Sequence, residues 1–186
     1  MKPFVRNCTA NSPFCDFNYV FIHYCSSDWW GGDNGASRNT ANYHFRGKNI
    51  VQEVINEIHS KALLPEPSKV VFWGTSAGGV GAMTNADRAA SIFKELYGDG
   101  VDFRAMMDGS WFMGGEVFKK HTCTNNELCA VEHRFSHGYS MWNQQVNEQC
   151  ALAYEENDRW RCMQGEVAVK YLRSEFFSLI STTDAW

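Results

Sequence analysis

The stretch Gly74-Thr75-Ser76-Ala77-Gly78 sets a hydroxyl between two glycines, directly after the apolar run Val70-Val71-Phe72-Trp73 and directly before a run with helical spacing. A serine hydroxyl is a weak nucleophile until a neighbouring base takes its proton, and its oxygen has to stand clear of the backbone to reach a carbonyl. The G-x-S-x-G pattern answers the second need, because it places the serine on a strained strand-to-helix turn whose flanking glycines let the backbone approach closely. The chemistry of such a residue is acyl transfer. Ser76 is the expected nucleophile. The N–H of Ala77, at the start of the following helix, faces the negative charge that develops on the carbonyl oxygen and is the expected oxyanion donor. A glycine-rich turn with an inert serine is the plainer alternative.

The elements that must position this serine are legible on both sides. Lys69 to Trp73 reads as a strand. Val80, Met83, Ala86, Ala90, Phe93 and Leu96 then fall at helical spacing in a helix that stops near Gly98. Upstream, Tyr19 to Cys25 is an apolar and aromatic run that reads as a buried strand. Ser26 to Asn42 follows, too rich in turn formers for regular structure. Within it Asp28, Trp29 and Trp30 could contact a substrate, but they read as a solvated loop with packed aromatics rather than as catalytic groups. From Gly47, residues Val51, Val54, Ile55, Ile58 and Ala62 lie on one helical face that ends before Pro65. Downstream, Val101 to Met107 reads as a strand, Trp111 to Glu175 as loops and helices carrying four cysteines, and Phe176 to Thr182 as a last strand leading to Asp184. Alternating strands and helices imply parallel pairing and an α/β fold.

Composition narrows the functions. A chain of 186 residues suits one domain. A net charge of −4 argues against nucleic acid and anionic membranes as partners, since both need a basic face. No apolar run reaches the ~18 residues of a membrane span, and Met1 to Cys8 lacks the apolar segment of a signal peptide. Seven cysteines match the usage of a secreted, disulfide-bearing protein. Their pairing is left open, and the odd count leaves at least one thiol over. No C-x-x-C pair occurs, and the six histidines are read as offering no ligand spacing such as H-x-x-x-H, so no metal is expected.

GTSAGG followed by NADRAA, together with YCSSDWWGG, resembles the family of pectin acetylesterases and Notum-type carboxylesterases. DGSWF, from Asp108 to Phe112, resembles the family's D-S-G-W-F segment with two residues exchanged. YSMWNQQVNEQC and NDRWRC resemble its cysteine-rich helical region, and FFSLISTTDAW the strand that delivers the triad acid. YCSSDWW and NADR lean toward the Notum-like branch. The resemblance implies an α/β-hydrolase-like fold with a mostly parallel sheet flanked by helices. It implies Ser76 as nucleophile, the Ala77 N–H as one oxyanion donor, Asp184 as the acid that orients a catalytic histidine, and Trp111 and Phe112 as the lining of an acyl pocket. It implies no metal or organic cofactor. The substrate it implies is either a short O-acyl group on a polysaccharide or a longer acyl group on a protein. An acid at the end of a strand, after the serine in chain order, independently fits Asp184, with a strand-terminal turn aspartate as the plainer alternative.

The order Ser, Asp, His puts the base beyond Asp184, where only Ala185 and Trp186 follow. His23 reads as packed in its strand and His59 as structural on its helix. His121, His133 and His137 could reach Ser76 only in a geometry foreign to the family. The family's Gly-Gly-Trp segment, which supplies further oxyanion donors, is not found ahead of Tyr19. The expectation is a single, partial domain over residues 1–186 belonging to a secreted serine carboxylesterase, poorly active or inactive by itself. The alternative is a degenerate relative that binds an acyl or glycan ligand without turning it over.

Overall fold

The computed structural model describes residues 14–114 and 131–181. Three strands, β1 (Lys69–Thr75), β2 (Asp102–Asp108) and β3 (Glu175–Leu179), form one parallel sheet in the order β1-β2-β3. Lys69 pairs with Asp102 and Thr75 with Asp108, while Arg104 pairs with Glu175 and Asp108 with Leu179. All three strands therefore end at the same edge of the sheet. Parallel neighbours need a crossover, and α2 (Ala77–Tyr97) supplies the one from β1 to β2.

The periodicity read from the sequence is the packing that holds these layers together. Val80, Met83 and Ala86 of α2 are almost fully buried against Ala105 and Met107 of β2. Ala89 turns toward α1 (Gly47–Ser60), where Val51 and Ile55, one helical turn apart, are buried with Trp30. Each of the larger side chains here, Val51, Ile55, Val80, Met83 and Met107, contributes roughly 1.5–3 kcal/mol on removal from water. Beyond β2 the chain forms α3 (Val131–Trp142), α4 (Glu148–Leu152), a 3-10 segment over Glu156–Met163 and α5 (Gly165–Ala168). The disulfide Cys150–Cys162 joins α4 to the 3-10 segment with both cysteines fully buried. This region is the loop-and-helix stretch expected between Trp111 and Glu175, and it settles one pairing that counting cysteines leaves open.

Asp87 of α2 is the knot between these parts. Its carboxylate accepts hydrogen bonds from the Ser174 N–H and hydroxyl, each at 2.8 Å, from the Arg173 N–H, and from the Asn147 amide at 2.7 Å. Burial pushes its pKa up, but the donors from Ser174, Arg173 and Asn147 outweigh this and hold the carboxyl below its ordinary value. A folded pKa below the unfolded one means a contribution that is full above the ordinary carboxylate value of about 3.9 and drains away as acid protonates the folded state. Asp87→Asn is therefore expected to lower stability by about 1–3 kcal/mol at neutral pH, with the gap to wild type closing as pH falls below about 4. Urea midpoints of both proteins between pH 6 and 2.5 measure this, and a gap independent of pH would refute it.

Two expectations need correction. Tyr19 to Cys25 is not a buried strand: the segment is irregular, and Val20 and Phe21 are 49% and 65% exposed. An apolar run becomes a strand only where a ladder takes its N–H and C=O groups, and the one sheet of the described residues is built from β1, β2 and β3 without this segment. His23 is accordingly exposed, with only an edge contact to Phe21. The last strand also ends earlier than read, at Leu179, with Ile180 and Ser181 outside it. Asp184 lies outside the described residues.

Candidate active site

Ser76 sits between the last residue of β1 and the first of α2 with φ 54° and ψ −123°. A residue with a Cβ pays ~1–3 kcal/mol to stay in such a region and does so only when its surroundings over-determine it. They do here. The Ser76 N–H donates to the Asp108 carbonyl at 2.9 Å, extending the β1–β2 ladder by one residue, and the Ser76 carbonyl accepts from the N–H groups of Gly79 and Val80. The side chain is exposed at the carboxyl edge of the sheet. Residues at this edge, outside the strand ends, are where open α/β sheets bind their ligands.

Close approach across the turn falls on the motif's first glycine, Gly74, and on Gly79, rather than on the motif's second glycine, Gly78. A Cβ on Gly74 would overlap the Gly78 carbonyl, and one on Gly79 would overlap the Ser110 hydroxyl and lie 2.9 Å from the Gly74 carbonyl oxygen. A Cβ on Gly78 would meet nothing nearer than Trp30 Nε1 at 3.9 Å. Gly79→Ala is expected to cost about 1–3 kcal/mol as a small-to-large change in a filled space, whereas Gly78→Ala is expected to be neutral or to gain up to ~1 kcal/mol from helix propensity. Chemical denaturation of the two variants decides it, and equal losses would contradict the geometry.

The turn after β2 completes the floor beneath the serine. The Gly109 N–H donates to the Leu179 carbonyl, and Ser110 is buried with its hydroxyl on the Asp108 carbonyl at 2.7 Å. The exchanged order Gly109-Ser110 thus puts the serine against Gly79. Trp111 and Phe112 follow, both half-buried. Trp111 packs on Gly165, where an added Cβ would come within 2.8 Å of its ring. Phe112 lies parallel to Trp29, ring centres 5.9 Å apart, and Trp29 meets Phe135 and Trp142 edge-on at 4.8 and 5.5 Å. The strand ends thus carry Ser76 and the Ser110–Phe112 segment together, with an aromatic wall behind Phe112. Ala77 is the first residue of α2, where N–H groups have no intrahelical partner. Among the described residues no histidine hydrogen-bonds the Ser76 hydroxyl; His44, His59, His133 and His137 are exposed. His121 lies outside the described residues.

The model of the pectinacetylesterase family matches residues 4–186. The chain belongs to the pectinacetylesterase family. Among curated proteins it is similar to palmitoleoyl-protein carboxylesterase notum2 of Xenopus laevis, 32% identical over 167 residues that make up 90% of this chain and 34% of that protein. It is also similar to the human palmitoleoyl-protein carboxylesterase NOTUM, 34% identical over 161 residues, 86% of this chain and 32% of the other. The chain spans about a third of the length of these relatives. The solved structure of the Wnt deacylase Notum from Drosophila superimposes with a TM-score of 0.69 at 27% identity, over 84% of this chain and 42% of that one. The fold is accordingly α/β-hydrolase-like, with its parallel sheet flanked by helices.

In this member of the family, two of the signature segments turn out to be braces. Asp28 of YCSSDWWGG is fully buried, contrary to the expectation of a solvated loop. Its carboxylate accepts from the Ser26 hydroxyl at 2.6 Å, from the Trp30 N–H at 3.1 Å and from the Gly47 N–H at 2.7 Å. Gly47 opens α1, whose own preceding residue Arg46 offers no side-chain cap, so Asp28 caps that helix from 19 positions away. Ser27, Trp29 and Trp30 around it all have positive φ, at 50°, 49° and 65°. Tyr24, whose hydroxyl accepts the Trp29 N–H at 2.7 Å, has its pKa pushed up to about 12 by burial. In NADR, the Asn85 amide donates to the Trp30 carbonyl, and Arg88 donates to Asn85, to Gln52 and to the Lys48 carbonyl. Together with Asp87 these side chains lock α2 to the Trp29–Trp30 loop, to α1 and to the entrance of β3. Spacing alone could not reveal this, because every partner except Asn85 itself is distant in sequence.

Proposed function

We propose that this chain is the nucleophile-bearing part of a serine carboxylesterase that removes an acyl group from an O-acylated protein. The observation that carries the reading is Ser76, held at positive φ on the β1–α2 turn with its hydroxyl exposed at the carboxyl edge of a parallel sheet. Ser76 attacks the ester carbonyl, a histidine of the complete protein takes its proton, and Asp184, beyond the end of β3, orients that histidine. The tetrahedral oxyanion lies at the start of α2, where the Ala77 N–H donates to it. The histidine then returns the proton to the departing alcohol, and water releases the acyl group from Ser76.

Phe112 and Trp111 receive the acyl chain, a role supported by their place just after β2 and by the aromatic wall of Trp29, Phe135 and Trp142 behind Phe112. The preference for a protein-borne acyl group is supported by relatives whose names specify palmitoleoyl-protein as substrate. The pectinacetylesterase description of the family favours a second reading, a short acyl group on a polysaccharide. We place the protein outside the cell, supported by the Cys150–Cys162 disulfide and by a second disulfide at Cys15.

The complete protein treated with a fluorophosphonate is expected to gain one adduct on the peptide containing Ser76, and to hydrolyse p-nitrophenyl octanoate faster than the acetate. Labelling together with a strong acetate preference selects the polysaccharide reading. Absence of labelling and turnover would remove the catalytic role and leave a binding protein.

A further inference from the structure

We infer that His133 and His137 form a surface site for a divalent transition-metal ion of the copper, nickel and zinc class, on the outer face of α3. The expectation that the histidines offer no ligand spacing is thereby corrected, since these two stand four residues apart in one helix. Residues at that spacing project from the same face as neighbours. Both are exposed, their ring centres are 6.4 Å apart, and their ring planes are within 15° of parallel. Neither imidazole is engaged in a hydrogen bond or ion pair among the described residues; the Ser136 hydroxyl bonds the His133 backbone carbonyl at 3.1 Å instead of a ring nitrogen.

The chemistry of this pair fits one class of ion. Imidazole nitrogen is the side-chain donor that suits zinc, copper and nickel, and it does not suit calcium or magnesium, which take oxygen. Two rings sharing an ion at ~2.1 Å from each nitrogen have centres roughly 5 Å apart. Both side chains are exposed, and a side-chain rotation brings the rings to that separation. Among the described residues no group of three or more His, Cys, Asp or Glu side chains is arranged to hold a metal. The pair is therefore a two-ligand site completed by water, with an ion that exchanges.

Occupancy has a structural consequence because of what the other face of α3 carries. Phe135 is 1% exposed, and Tyr139 and Trp142 pack beside it in the cluster that includes Trp29 and Phe112. An ion clamped between His133 and His137 spans the turn that holds Phe135. Ligand that binds only the folded helix stabilises it in proportion to its concentration. The site is set by the helix geometry and is independent of whether the protein is an esterase.

The test is calorimetric titration of the complete protein with CuCl2, NiCl2, ZnCl2 and MgCl2, in a Cys25→Ser background that removes the free thiol exposed among the described residues. The expected result is one equivalent of Cu2+ bound most tightly, with Ni2+ and Zn2+ weaker and Mg2+ silent. His133→Asn and His137→Asn should each weaken Cu2+ binding at least tenfold, while His59→Asn changes nothing. Both positions are exposed, so the variants are expected to keep the wild-type circular dichroism spectrum. Cu2+ affinity unchanged in either variant, a loss in only one of them, or no transition-ion binding above the Mg2+ baseline would each overturn the site.

Discussion

Ser76→Gly is expected to stabilise the protein and abolish its hydrolysis at once. The nucleophile turn holds a residue with a Cβ at φ 54°, ψ −123°, and glycine is free of the ~1–3 kcal/mol that this conformation costs other residues. For a chain of this length each kcal/mol moves the melting temperature by about 2–4 °C, so a rise of several degrees should be measurable. Loss of the nucleophile should lower kcat/KM of the complete protein by ~10^4 or more. Ser76→Ala separates the two effects: it removes the same hydroxyl but keeps the Cβ, so activity should vanish while the melting temperature stays near wild type. A Ser76→Gly protein no more stable than Ser76→Ala would mean that the turn stores no strain. A Ser76→Ala protein with full activity would dismiss the serine as nucleophile.

The second large effect is expected at Asp28, a residue with no part in the proposed reaction. Removing its carboxylate leaves three donors, the Ser26 hydroxyl and the Trp30 and Gly47 N–H groups, buried with no acceptor. Each orphaned group costs about 1–3 kcal/mol, and α1 also loses the negative charge at its N-terminus. Asp28→Ala is thus expected to cost at least about 3–5 kcal/mol, much of the ~5–15 kcal/mol that holds a typical domain together. Asp28→Asn keeps the shape and can still accept from Ser26 and Trp30, but it turns an amide N–H toward the Gly47 N–H. The loss should be about half as large and should concentrate in α1. Urea unfolding gives the totals, and amide exchange at the first turn of α1 gives the location. A loss below ~1 kcal/mol for Asp28→Ala would show that water replaces the carboxylate.

These two residues also mark how far the sequence could be read. Ser76 was legible because its whole setting is local: the apolar run of β1, the glycines and the helical spacing of α2 are contiguous. The parallel sheet was legible for the same reason, since a strand, a 21-residue helix and a second strand in succession leave little other topology. Asp28 was not legible, because its decisive partner Gly47 is 19 positions away and nothing in YCSSDWWGG announces that a helix will need its cap. Tyr19 to Cys25 failed for the converse reason: its composition suits a strand, but composition does not supply a hydrogen-bonding neighbour. At Trp29 the expectation of packed aromatics held while that of a solvated loop failed at Asp28, one residue before it. The reading of a close-packed turn at the flanking glycines holds at Gly74 but not at Gly78, where the close contact falls one residue later on Gly79, because the neighbour that fills that space is Ser110, in the turn after β2.

The pairing of the three strands also sets an order of assembly. Lys69 and Asp102, the first partners of the β1–β2 ladder, are 33 positions apart, and α2 spans most of that interval. Arg104 and Glu175, the first partners of the β2–β3 ladder, are 71 positions apart. Closing the shorter loop costs less entropy, and short-range contacts form faster. The unit of β1, α2 and β2 is therefore expected to form first, with the Ser76 turn fixed at that stage by its bond to Asp108. During that interval the far edge of β2 awaits β3, whose Phe176, Phe177 and Leu179 remain substantially exposed even after docking. The newly made chain thus passes through a stage with an open strand edge and loose aromatic side chains, the condition in which nascent β structure is most prone to pair with the wrong partner. Synthesis of this protein should accordingly depend on chaperones more than its size would suggest.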